Sequence, residues 1–413
     1  MTDQTRTVLV PSYLQQFECI GSSCEDTCCA GWQVNVDHTT YKKYNKLKDL
    51  KLKSLLDTHV KRNRSDPTEA NYGKIMLKPD SSCPLLNEDK LCTVQLKMGE
   101  TYLSDVCTTY PRFSNKVNHI VEKAATMSCP EAARLALLNP DGMEFDEVKE
   151  SITVRNMVGR LIDTESQAAA HKAEKYFWEL RIFTIQVLQN RSYSLSERLI
   201  ILGMFYQKAD DCISASNMEE IPRLIASYRS MIEGGSIQKS LENIPVSVAI
   251  QMQLVKELID ERLLQGAISH RYLDCLKEVL LGIKYTGEAA VEETSEHYRE
   301  AYHAYYQPFM REHEYILENY LVNYVFKTLF PLGGKSVVDE YVMLVMHYAM
   351  IKLHLIGMAG FHKGDFGVDH VIKLIQSFAK TIEHNALYLR GAIELLKKNN
   401  YTSMAYMAIL IKN

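Results

Sequence analysis

The sequence predicts a mainly α protein in two parts. A small, irregular, cysteine-rich metal-binding domain spans residues 1–135, and an all-α helical domain spans residues 136–413. Three observations carry this. Eight of the ten cysteines lie between Cys19 and Cys129, leaving only Cys212 and Cys275 outside. Beyond Pro130 long segments with helical periodicity run to the end, and no alternation of strands with helices is read after Pro140. A chain of 413 residues also exceeds what one hydrophobic core usually organises.

The opening TVLVPSYLQQFEC is β-branched and aromatic and is broken by Pro11, which predicts a short strand at most. MTDQTRTVLV is polar and lacks the apolar core of a secretory signal. The first cysteine cluster, ECIGSSCEDTCCAGW, follows, with Gly31 free to let the backbone wrap closely. Asp37 starts a predicted helix through Arg64 with Tyr41, Tyr44, Leu52, Leu55 and Leu56 along one face. Its lysines read as a solvated face, the alternative being a docking surface for an acidic partner. YGKIMLK (Tyr72–Lys78) reads as a short strand before the second cysteine group.

In the second part Ser194 and Glu197 make a capping box, and Gly234-Gly235 stop the helix that follows Asn217. Helices are predicted from Val246 to Leu264, from His270 to Gly282 and from Ser295 to Phe330, the last kinked or divided by Pro308. The pattern resumes at Val337, Val368 and Gly391. The apolar run Tyr341–Phe361 carries His347, Lys352 and His354, charges that would be costly in lipid, so it is expected to be a buried core helix. A net charge of -4 argues against general nucleic-acid binding. The chain reads as soluble and cytoplasmic, with no membrane partner and an oligomeric state left open.

So many thiols without a secretory signal point to metal rather than disulfides. Zinc sites commonly use two C-x2-4-C knuckles. Here Cys19-x4-Cys24 and Cys24-x3-Cys28 share a cysteine, while Cys83, Cys92, Cys107 and Cys129 are widely spaced. Histidine is scarce in this part (His38, His59, His119), so an iron–sulfur cluster gripped by several loops is favoured over zinc. Cys28 and Cys29 are adjacent, so their side chains are expected to diverge. The C-x3-C-x2-C signature of radical S-adenosylmethionine enzymes fails, because Gly31 stands where its third cysteine belongs. GGKS at Gly333–Ser336 lacks the first glycine of a P-loop, and His313-Glu314 lacks the second histidine of a zincin helix. Neither a G-x-S-x-G elbow nor a G-x-G-x-x-G turn after a strand occurs.

The order C-x4-C-x3-CC, CPLL, a further Cys, then C-x2-YPRF resembles the CxxCxxxCC cysteine-cluster superfamily. PSYLQQFECIGSSCEDTCCAGW and CTTYPR, with HEYILENYLVNYVF (His313–Phe326) and IEHN (Ile382–Asn385), are similar to the bacterial flagellin lysine N-methylases. Cys19-x4-Cys24 departs from the superfamily consensus, which has two intervening residues. The resemblance implies methyl transfer from S-adenosylmethionine to flagellin lysines, in a protein carrying an iron–sulfur cluster, a 4Fe-4S cubane. It makes Cys19, Cys24, Cys28, Cys29, Cys83, Cys92, Cys107 and Cys129 the candidate ligands, without saying which four. It does not indicate the residues that bind S-adenosylmethionine.

A lysine near its ordinary pKa of about 10.4 is protonated at pH 7, so a methylase must desolvate its amine or provide a base. ILENYLVNYVF gathers a carboxylate, two amides and two phenols within two helical turns, and Tyr110 and Arg112 follow Cys107 closely. The candidate catalytic residues are therefore Glu318, Asn319, Tyr320 and Tyr110, with the helix face set against the loop of Cys107, Tyr110 and Arg112. The ordinary role for such tyrosines is core packing with the hydroxyl at the rim. Arg112 is expected to pair with a carboxylate or a cluster sulfur. The alternative to an enzyme is a zinc- or iron-chelating protein with a helical interaction scaffold, which would not need so long a helical part.

Overall fold

The computed structural model describes residues 4–241, 244–266, 268–286 and 291–413; the first three residues of the polar opening lie outside them. Strand β1 (Thr5–Pro11) alternates so that Val8 and Val10 are buried. The chain then builds a compact lobe from β2 (Asn35–Val36), two helices, β3 (Val60–Arg62) and β4 (Gly73–Ile75), the strands forming an antiparallel sheet in the order β2-β4-β3. The single helix expected from Asp37 is two, His38–Asn45 and Leu50–His59. Asp37 caps the first through the Thr40 amide at 2.8 Å, and Asp49 caps the second through the Leu52 amide at 2.9 Å. An aspartate that binds the backbone ahead of it competes with continuing the helix, and Asp49 begins a new one instead.

β5 (Arg112–Val117) and β6 (Ile120–Ala125) form a hairpin, and helix Pro130–Leu137 starts at a proline directly after Cys129. β7 (Phe145–Ser151) and β8 (Val158–Ile162) complete a five-stranded sheet in the order β7-β1-β6-β5-β8. β1 with β6 and β5 with β8 are parallel; the other pairs are antiparallel. Residues 136–413 are therefore not all-α, because β7 and β8 precede their helices. Both strands are edges, and on β7 charge replaces apolar alternation. On β7, Glu150 accepts from Arg6 of β1 at 2.7 Å and from Lys123 of β6; on β8, Val158 to Leu161 are exposed.

After β8 the described residues carry helices and no strand. The Ser194–Glu197 capping box is present, and Gly234 ends helix Ile221–Glu233. The helix expected from Ser295 is divided as Pro308 suggests. A π-helical turn, Tyr302–Tyr306, precedes Gln307–His313, and helix Tyr315–Thr328 follows. The central helix, Val337–His362, contains the apolar run and buries its whole apolar window. Two of its polar groups find partners inside: Lys352 Nζ donates to the Ile411 carbonyl at 2.9 Å, and His354 Nε2 lies 3.0 Å from the Tyr272 hydroxyl. Burial brings Lys352 down to about 7. Helix His270–Gly282 crosses this helix at glycines, where a Cβ on Gly360 would lie 2.8 Å from the Gly282 carbonyl oxygen. Only the missing side chains allow that approach.

The main core draws on both sides of residue 135: Val8, Tyr13, Ala132 and Leu137 pack in one cluster with Leu199, Tyr320 and Val345. The lobe has a separate, smaller core around Val36, Leu52, Leu56, Leu85 and Val94.

Candidate active site

Where the lobe, the β8 edge of the sheet and the C-terminal helices meet lies an open cavity of about 900 Å³. Small-molecule sites typically run to about 300–1,000 Å³. The lobe contributes Trp32 and Tyr110, and the sheet contributes Arg112, Phe113 and Arg160. Helix Tyr315–Thr328 adds Tyr324, Lys327 and Thr328; the central helix adds Glu340, Met343 and His347. Glu383 and His384, then Leu389 and Arg390 of helix Ala386–Lys398, close the far side.

The lobe wall is fixed by directional contacts. The Trp32 indole N–H donates to the Cys28 carbonyl at 2.8 Å, and its ring stacks with Tyr110 and with His384, at 5.9 and 6.3 Å between centroids. The Ser128 hydroxyl joins Tyr110 Oη at 3.0 Å and His384 Nε2 at 2.7 Å. Below them Asp26 accepts from Gln376 at 2.8 Å and from Lys380 at 2.9 Å, anchoring the Cys24–Cys28 loop to the helical part.

On the opposite wall Glu383 accepts from Tyr320 Oη at 2.8 Å and pairs with Lys327. Burial alone would push this carboxyl up, but the charges of Lys327 and His347 and the two hydrogen bonds hold it at about 2. Glu340 has a weaker counterweight: burial raises it to about 7 against the charge of Arg160.

Tyr320, Tyr324, Lys327 and Thr328 lie on one helical stripe, which brings Tyr324 into the cavity and Tyr320 onto Glu383. Tyr110 lines the same cavity, so the Glu318–Tyr324 helix and the Tyr110–Arg112 loop do face each other across it. Glu318 and Asn319 lie off that stripe and do not reach the cavity. Glu318 is 1% exposed and is held by Arg191 at 2.9 Å and Arg198 at 2.7 Å. Asn319 donates to the carbonyls of Leu137 and Asn139, at 3.3 and 2.8 Å. Arg112 stacks over the Phe17 ring at 5.1 Å, and among the described residues no carboxylate pairs with it. Glu383, His384, His347 and Trp32 went unassigned from sequence. Glu383, His384 and Trp32 sit inside the matching motifs, and His347 was visible only as a histidine in an apolar run.

All ten cysteines are free. Cys29, Cys83, Cys92 and Cys107 share the lobe's core, and the Cys83 amide donates to the Cys29 carbonyl at 2.7 Å. Cys129 packs on the main core, Cys24 is half-buried with its thiol on the Asp26 carbonyl, and Cys19 is exposed. The adjacent Cys28 and Cys29 do not diverge; their sulfurs lie 3.8 Å apart. The hydrogen bond from Cys29 brings Cys28 down to about 7, with help from the Lys380 charge, while burial pushes Cys107 up to about 12. The donor type suits a soft metal or an iron–sulfur cluster. As the side chains stand, however, no three or more His, Cys, Asp or Glu among the described residues are grouped to hold an ion. What fits a cluster is the softness of the thiols and the gathering of four of them in one core. Of the remote pair, Cys275 is buried with its thiol 3.8 Å from the Ser377 hydroxyl, and Cys212 is half-buried.

A roomy cavity with aromatic walls, an ionised carboxylate and a buried histidine suits a small-molecule site. The chain belongs to the FliB lysine N-methylase family, whose C-terminal domain matches residues 181–410. It is 26% identical over 420 residues to a lysine-N-methylase of Salmonella typhimurium, covering 97% of this chain and 98% of that one. A lysine-N-methylase of Salmonella choleraesuis matches equally, at 26% identity over the same shares. The flagellar biosynthetic protein FliU of Salmonella muenchen is 35% identical over 147 residues, covering 35% of this chain and 84% of that protein. No solved structure matches.

Proposed function

We propose that this chain transfers a methyl group from S-adenosylmethionine to lysine ε-amines of flagellin, in the cytoplasm, with an iron–sulfur cluster in its cysteine lobe. The observation that carries this is the cavity, because both lobe and family-matched helices supply its walls and it has room for a lysine side chain beside a second ligand. Trp32, Tyr110 and Tyr324 place aromatic rings in the wall, and such rings attract a sulfonium. When bound, S-adenosylmethionine supplies a methyl carbon made electrophilic by its positive sulfur. The chain's own contribution is placement: the rings and the Glu383 network fix the walls, and positioning supplies a large part of such rates. The names of the Salmonella relatives support the lysine and flagellar parts of the reading. Ten free thiols suit a reducing compartment.

The test incubates anaerobically purified protein with flagellin and methyl-labelled S-adenosylmethionine, and maps methyl-lysine by mass spectrometry. Ala386 lines the cavity and is exposed at the start of its helix, so Ala386→Trp should fill the cavity and abolish labelling without unfolding the chain. Full activity in that variant would move the reaction elsewhere. Labelling of other proteins but not flagellin would overturn the substrate.

A further inference from the structure

The central helix holds one group with no explained role. His347 is fully buried, and its Nδ1 lies 2.7 Å from the Met343 carbonyl one turn earlier. A carbonyl only accepts, so Nδ1 carries the hydrogen and Nε2 presents a bare lone pair. Nε2 is buried and has no hydrogen-bond partner. A buried nitrogen left unpaired is costly and calls for a reason. The ring is held between Tyr324 at 4.9 Å and Phe378 at 5.9 Å and borders the cavity.

We propose that His347 is the base of the reaction, its Nε2 taking a proton from the substrate lysine's ammonium. The proposal rests on placing methyl transfer in this cavity. Once Nε2 has the proton, the amine nitrogen forms a bond to the methyl carbon and the carbon–sulfur bond breaks. The bonding pair goes to sulfur, and the positive charge passes from sulfur to the methylated nitrogen. The imidazolium returns its proton to solvent, so each turnover releases one proton.

The groups facing His347 suit that cycle. From the segment after helix Val368–Phe378, Glu383 faces the ring, and its negative charge stabilises the imidazolium. Lys327 on helix Tyr315–Thr328 opposes it, and burial outweighs both, so the ring starts neutral and able to accept. Tyr324 stays protonated, raised by burial. Farther along the wall, Glu340 of the same central helix lies within the field of Arg160 from β8. Glu383 itself is a poor base, already bonded to Lys327 and Tyr320. Glu340 is the competitor, a cavity carboxyl that burial holds near neutrality.

The test compares His347→Gln, Glu340→Gln and Ala386→Trp with wild type in flagellin methylation across pH. Loss of a general base costs about 10²–10⁴-fold in kcat. His347→Gln should show that loss at pH 7 with S-adenosylhomocysteine affinity unchanged. The loss should shrink as pH approaches the lysine's own pKa of about 10.4, where solvent supplies free amine. An active His347→Gln beside an inactive Ala386→Trp overturns the base and leaves the site standing. An active Ala386→Trp overturns the site. A pH-restored Glu340→Gln beside an unrestored His347→Gln transfers the role to Glu340. Should His347→Gln fail to fold, ¹⁵N-histidine spectra of wild type decide. They should show Nδ1–H with Nε2 bare, shifting only when S-adenosylhomocysteine and flagellin are both bound. No shift, or the opposite tautomer, overturns the proposal.

Discussion

Replacing Glu318 by Gln should damage the fold before it damages chemistry. The carboxylate is 2% exposed and accepts from two guanidiniums, Arg198 at 2.7 Å and Arg191 at 2.9 Å. The two arginines are not alike. Arg191 is 45% exposed and can turn to water; Arg198 is 3% exposed and cannot. Breaking a buried ion pair by removing one charge costs about 3–5 kcal/mol, because the other charge stays buried and uncompensated. Arg198 keeps two backbone acceptors, the Leu188 and Tyr193 carbonyls at 2.7 Å each, and a long contact of 3.5 Å to Glu314. The expected loss is therefore at the low end, about 3 kcal/mol. Urea titration of wild type and variant, followed by far-UV circular dichroism at fixed pH, reads it as a lowered midpoint of the helical transition. Methylation per folded molecule should hardly change, since the carboxylate lies outside the cavity. An unchanged midpoint with abolished methylation would refute this account and return Glu318 to the chemistry.

Anaerobically purified protein should be brown, with iron and acid-labile sulfide at about four each per chain. Cys83→Ser should lower both iron content and thermal stability, and Cys212→Ala with Cys275→Ala should leave iron untouched; colourless protein with stoichiometric zinc would refute the cluster. Glu383, at about 2 against an ordinary 4.5, contributes stability that is fully present above pH 4.5 and is lost as pH falls through about 2. Urea midpoints taken between those limits should fall more steeply for wild type than for Glu383→Gln.

The parts legible in the sequence were those where one local rule acts alone. The Ser194–Glu197 box, the stop at Gly234 and the buried run of the central helix depend on neighbours a few residues away. Strand β7 was not legible, because FDEVKES is held through Glu150 by Arg6 and Lys123, 144 and 27 residues distant, and not by apolar alternation. At the site, the helix Tyr315–Thr328 announced its polar density, but composition cannot say which stripe faces which neighbour. The angle around the axis, about 100° per residue, decides it: Tyr324 and Lys327 reach the cavity, while Glu318, on the opposite face, turns to Arg198. His347 was hidden for the opposite reason. Its signal is a lone pair with no partner, and only packed coordinates show that.

The position of the cysteine lobe gives its thiols a reason to belong to a methylase without a part in methyl transfer. The family-matched residues 181–410 supply one side of the cavity; Trp32, Tyr110, Arg112 and Arg160, all outside that range, supply the other. The Cys24–Cys28 loop is where the sides are fastened, through Asp26 to Lys380 and Gln376, with Gln376 also donating to the Ser128 carbonyl at 2.9 Å. Asp26 and Lys380 are 18% and 9% exposed, and an ion pair so far withdrawn from water is screened less than a surface one. Trp32, three residues past Cys29, then carries the lobe's position into the cavity through its stack on Tyr110 and His384. Whatever holds the cysteine loop rigid therefore also sets the wall of the cavity, and a loosened lobe would open the site without touching a residue of the helical part.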